Sequence, residues 1–153
     1  MYFIIVVLFL IVCPLASAAI EAFRFHETLA NLTLMGRWWT FWAVGGRLFT
    51  AGIRQVIQPR FTAEEIFGLR DTSAFPLVRE IGFANLSVGT LGICSIFHPG
   101  WVTPAAVVGG LYYAFAGLGH LPQKNKNAKE YTAMISDGFA AAILAAFLLR
   151  NIL

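Results

Sequence analysis

Charge is scarce in this sequence: Lys, Arg, Asp and Glu make up 12% of its 153 residues, about half the share usual in soluble domains. Cysteine is nearly absent. Cys13 and Cys94 both lie inside apolar runs and form no CxxC or Cys/His pattern, which argues against a disulfide framework and a zinc site and leaves two thiols packing as small hydrophobes. There is no Gly-rich phosphate loop, no His-Glu-x-x-His motif and no nucleophile elbow, so the usual signatures of nucleotide, zinc-peptidase and serine-hydrolase chemistry are missing. Ser and Thr are scattered without a paired general base, and there is neither a low-complexity tract nor an internal repeat.

Apolar length is what the chain has. With 58% hydrophobic residues and a mean hydropathy of +0.71, it reads as an all-α, polytopic helical membrane bundle of about five spans with a short interfacial helix. The spans fall at about residues 2–20, 38–58, 75–97, 101–119 and 130–151, and residues 1–153 form one transmembrane domain with no room for a soluble one. The first run ends on Ala16-Ser17-Ala18-Ala19 but lacks a basic leader and is longer than a signal-peptide core, so it reads as a retained span. Trp38, Trp39 and Trp42 suggest an interfacial belt at the start of span two, and Pro59 ends that span. Thr62-Ala63-Glu64-Glu65 reads as a capping box opening the surface helix, and Asp71, Thr72 and Ser73 offer a cap for span three.

The net charge of +3 and pI near 9.1 point to membrane topology rather than nucleic acid, because the eleven Lys and Arg are spread along the hydrophobic helices and their ends. With five spans, one side holds Arg54, Arg60, Arg70, Arg79, Lys124, Lys126 and Lys129, and the other Arg24, Arg37 and Arg150. Such a bias places the N-terminus in the cytoplasm and the C-terminus outside, in a multi-pass protein of the inner (cytoplasmic) membrane.

Span two is the anomaly. At 100° per residue, Thr40, Arg47, Thr50, Arg54 and Gln58 share one face of a membrane helix. A guanidinium in hydrocarbon costs at least about 2.5 kcal/mol, so this stripe must face protein or a polar cavity. Depth matching supplies the partners: Arg54 lies roughly 6 Å and Glu80 roughly 7 Å from the same membrane surface, and Asp137 roughly 10 Å in, between the levels of Arg54 and Arg47. A buried Arg47, Arg54, Glu80 and Asp137 network with Thr50 and Gln58 is expected. It serves either as a lattice of ion pairs holding the helices in register or as a pocket for an anionic headgroup, a quinone or a proton path.

In span three, Gly82, Asn85, Gly89 and Gly92 share a face that admits another backbone closely, with Asn85 bonding across helices. Tyr112 and Tyr113 read as packing or lipid-facing residues rather than a cofactor box. The histidines do not converge: His26 and His98 fall at one side of the membrane and His120 at the other, so no metal site is expected. Asn31-Leu32-Thr33 and Asn85-Leu86-Ser87 match the glycosylation sequon and carry little weight.

Three strings stand together: Gly52-Ile53-Arg54-Gln55, Phe61-Thr62-Ala63-Glu64-Glu65-Ile66-Phe67-Gly68 and Arg79-Glu80-Ile81-Gly82-Phe83-Ala84-Asn85-Leu86. In order and spacing they resemble a family of small uncharacterised prokaryotic membrane proteins, and more loosely the DoxX-like group, from about Trp38 to the C-terminus. The resemblance implies an accessory role at a membrane redox assembly and brings no catalytic residue with it. The chain departs from that group in its extra N-terminal span and in having no redox-active Cys pair. The sequence thus names no reaction. It suggests an accessory or structural subunit of a membrane assembly, with membrane-complex subunits or further copies of the chain as partners beside the bilayer. The alternatives are an enzyme or a lipid- or quinone-binding protein using the Arg/Glu/Asp pocket, and a small-solute or proton transporter. No cofactor is specified, though the pocket admits a quinone or lipid.

Overall fold

A computed structural model describes residues 2–152, and among these every regular element is helical. Helix α1 is Tyr2–Phe25. Helix α2 runs without a break through Leu32–Trp39, Thr40–Leu48 and Phe49–Ile57. A short helix, α3, is Phe61–Ile66; α4 is Thr72–Cys94, α5 Pro99–His120 and α6 Ala128–Ile152. Helices α1, α4, α5 and the stretch Ala128–Asn151 of α6 are long and apolar enough to cross a membrane. Large side chains on their outer faces, such as Phe23 and Phe115, are exposed, as lipid contact requires.

The second expected span is a helix but not one of those four. Its arginines and tryptophans lower its hydropathy, and the fold compensates by placing it at the centre. It packs against α1, α4, α5 and α6, burying Leu34, Trp39, Thr40, Ala43, Val44, Leu48 and Gly52. Each of the other long helices therefore shields part of a segment that lipid alone would not accept.

Only a short turn separates α1 from α2. His26, in the left-handed region (φ 55°), closes α1. Asn31 opens α2, its Oδ1 accepting from Thr33 N at 3.0 Å and from Leu34 N at 3.4 Å. The first sequon asparagine is thus a helix cap, the role its short acceptor suits. Glu21, still on α1, takes both Trp38 Nε1 (2.8 Å) and Arg37.

The tryptophans of α2 join it to α1. In α1, Pro14 has no N–H to give to the carbonyl four residues earlier, that of Leu10. Trp39 Nε1 fills the gap, donating to Leu10 O at 3.0 Å, and Trp42 Nε1 donates to Ser17 Oγ at 2.9 Å. The residues just before Pro14 (Leu8–Val12) and the middle of α2 (Thr40–Leu48) adopt wider i→i+5 turns. Such turns are rare and concentrate at functional sites.

The capping box over Thr62–Glu65 does not form. Pro59 and Arg60 are already helical, because proline's fixed φ starts a helix at its own position. Thr62 therefore falls inside α3, and Glu65 turns to Lys129 rather than back along its own helix.

Candidate functional site

Arg47 sits in the i→i+5 segment of α2, facing α6. Its Nη2 lies 2.8 Å from Asp137 Oδ1 and 2.8 Å from Ser136 Oγ, and its guanidinium carbon stands 5.0 Å from the centroid of the Tyr113 ring. The two charged side chains keep only 11% and 10% of their surface. Tyr113, fully buried, donates its hydroxyl to Ala43 O in the same widened segment. One carbonyl of the irregular turn is thereby satisfied from α5, as burial demands.

Beside this pair lies a cavity of about 280 Å³, walled by α1, α2, α4, α5 and α6, with Phe61, Thr62 and Ile66 of α3 also in its lining. Its polar lining comes from Arg47, Arg54, Asn85, Tyr112, His120 and Asp137; Tyr2, Phe9, Phe61 and Phe67 give it aromatic walls. Two buried polar atoms of its lining residues have no protein partner, a donor on Arg47 (Nη1) and an acceptor on Asn85 (Oδ1). Leaving such a group unmatched costs about 1–3 kcal/mol.

The remaining stripe residues separate. Arg54 lines the cavity near α3, its guanidinium carbon 3.5 Å from the Phe61 ring centroid. Thr50 lines it too but spends its hydroxyl on Gly46 O and Arg47 O of its own helix. Gln58 is exposed just beyond the end of α2. Glu80 does not join the network: it is exposed and forms no ion pair with Arg54. Depth matching ignores direction, and Glu80 lies about 140° around the helix from Asn85, which faces inward.

Gly82, Asn85, Gly89 and Gly92 are buried together along the α2 contact. Asn85 Nδ2 donates to Gln55 Oε1 at 2.7 Å, a bond linking the glycine face to the cavity wall. A Cβ on Gly52 would come within 2.7 Å of Gly82 O, and one on Gly89 within 2.7 Å of Phe49 Cα. The helices meet backbone to backbone, as small residues permit.

Several groups of the site were not picked out by the sequence reading. His120 Nδ1 and Glu130 Oε1, both buried, lie 3.3 Å apart across the α5–α6 turn, and Phe67 stacks on the His120 ring with centroids 6.2 Å apart. The signal available was a His and a Glu ten residues apart on either side of a polar turn. Asn127 caps α6 through Glu130 N (2.9 Å) while its Nδ2 holds Glu65 O at 3.2 Å. With the Glu65–Lys129 ion pair, this ties α3 down over the cavity.

The Lys129 ammonium beside Glu65 lowers the carboxyl below its ordinary value. A carboxyl depressed in the folded state stabilises above its unfolded pKa, and that contribution is lost as pH falls through the folded value. Hydrogen exchange at residues 61–66, corrected for intrinsic rates, is therefore expected to rise below about pH 4. Lys129→Gln should raise it already at pH 7. Unchanged exchange in that variant would show that the ion pair does not hold α3.

Among the described residues, no three His, Cys, Asp or Glu side chains are grouped to hold a metal. No curated protein and no solved structure matches the chain. Residues 2–152 match a family of unknown function, DUF6790, and the chain belongs to that family.

Proposed function

We propose that the protein binds a small amphipathic molecule in the cavity, its polar head near Arg47 and Asp137 and its apolar part against the aromatic walls. The observation that carries this reading is a cavity of about 280 Å³ whose lining residues include a donor and an acceptor that the protein leaves unpaired. A simple ion-pair lattice would close around its charges. Ligand sites combine mostly apolar walls with a few convergent polar groups in this way, in volumes from about 300 Å³ upward. A head presenting both an acceptor and a donor, as a quinol or a hydroxylated lipid does, suits Arg47 Nη1 and Asn85 Oδ1. The basic end of the bundle, with α3 as its cover, faces the cytoplasm in this reading, and the membrane is the inner one; the seven-to-three bias of Lys and Arg supports both.

An accessory place in a membrane redox assembly is the second reading, supported by the DoxX-like strings around Arg54 and Arg79. It is compatible with the first if the assembly supplies the ligand. Native mass spectrometry of gently solubilised protein, with and without a short-chain benzoquinone, tests the binding reading. Wild type is expected to carry a small-molecule adduct. Ala116→Leu, which fills the cavity without touching its charges, should fold and lose the adduct. A co-purifying polypeptide with no adduct would favour the accessory role alone, and solute flux in liposomes the transporter. An adduct unaffected by Ala116→Leu would place the ligand elsewhere.

A further inference from the structure

Outside the cavity, the ends of α2 and α4 and the side of α3 enclose a second groove of about 560 Å³. Arg54, Arg60 and Arg79 line it together with Ile57, Pro59 and Phe75. Its two carboxylates are already engaged. Glu64 holds Arg60 Nε at 2.9 Å, and Glu65 holds Lys129. Among the described residues Arg54 and Arg79 have no ion-pair partner. The Phe61 ring under Arg54 engages its π-facing side without using an N–H donor. Phe75 belongs to the first turn of the long α4 helix, whose positive dipole end adds to the field.

The groove also sits at the level where apolar side chains emerge. Ile57 and Leu77 are 70% and 67% exposed, so lipid rather than water is the neighbour that favours them. Arg54 and Arg79, unpaired among the described residues, and Arg60, which meets Glu64 through Nε, stand beside an acyl-compatible surface and match one occupant by charge and by position. We propose that this groove seats the phosphate of an anionic phospholipid headgroup, with Arg79 and Arg60 donating to its oxygens and Arg54 facing it from the cavity side. Guanidinium groups suit this role because their planar donors meet phosphate oxygens in pairs. The occupant is distinct from the cavity's ligand, and the two sites share Arg54 and the Phe61 ring beside it.

The test uses the full chain in detergent, exposed to phosphatidylglycerol or phosphatidylcholine and read by native mass spectrometry. Wild type is expected to retain phosphatidylglycerol preferentially. Arg60→Gln/Arg79→Gln should weaken retention roughly thirty-fold, the worth of two basic charges near a lipid surface. Arg70→Gln/Lys124→Gln removes the same charge at the same end but outside the groove, and should change retention by less than about two-fold. Circular dichroism confirms that both variants fold. Equal loss in the two variants would mean diffuse surface charge and overturn the site, as would equal retention of the two lipids by wild type. Displacement of the lipid by millimolar inorganic phosphate would make a free anion the occupant and overturn the lipid assignment.

Discussion

Asp137→Ala is expected to cost the bundle about 3–5 kcal/mol, because it strands the Arg47 charge in a buried site without its carboxylate partner. Ser136 Oγ and the Tyr113 ring remain in contact with it, but neither carries a negative charge. Asp137→Asn should cost less, since an amide oxygen still accepts from Nη2. The decisive variant removes both charges: Arg47→Met/Asp137→Leu is expected to recover most of the lost stability, as well-packed hydrophobic replacements of buried ion pairs do. Unfolding in mixed micelles measures all three. If Asp137→Ala is as stable as wild type, the pair holds nothing together. If the double variant is stable yet carries no adduct in native mass spectrometry, the pair serves the ligand more than the fold.

The second large effect concerns the seam between α2 and α4. Gly92→Leu should destabilise by about 3 kcal/mol or more, the upper range for forced overpacking, because a Cβ there meets the backbone of Gly45 and Val44, which has no rotamer to yield. Gly138→Ala makes the contrast. It lies within α6 with open space around its missing Cβ, so the change should be neutral or stabilise by roughly 0.5–1 kcal/mol through helix propensity. Measured in the same micelles, similar losses for the two variants would refute the close-packed seam.

Much of this architecture was legible in the sequence. Apolar runs mark α1, α4, α5 and α6, and the Gly82, Asn85, Gly89 and Gly92 spacing marks the face on which α2 lies. Depth alone selected Asp137 as a counter-ion, and the structure sets it against Arg47. Depth also selected Glu80, which faces outward, because matching levels says nothing about the direction around a helix. The i→i+5 segment of α2 adds to this, since each wider turn uses an extra residue and rotates the downstream stripe. Roles set by distant partners stayed hidden. Nothing near Trp39 announces that Pro14 has left the Leu10 carbonyl free, and the Thr62 capping box looked sound until Pro59 had started the helix ahead of it.

The partners Arg47 and Asp137 are separated by 90 residues of chain. At a synthesis rate of about 5–20 residues per second, the arginine waits roughly 5–18 s for its counter-ion to be made. During that interval α2 is too polar to rest in lipid unaided. The Arg47 site is therefore completed only when α6 packs against α2, so the two helices are expected to settle in the bilayer together.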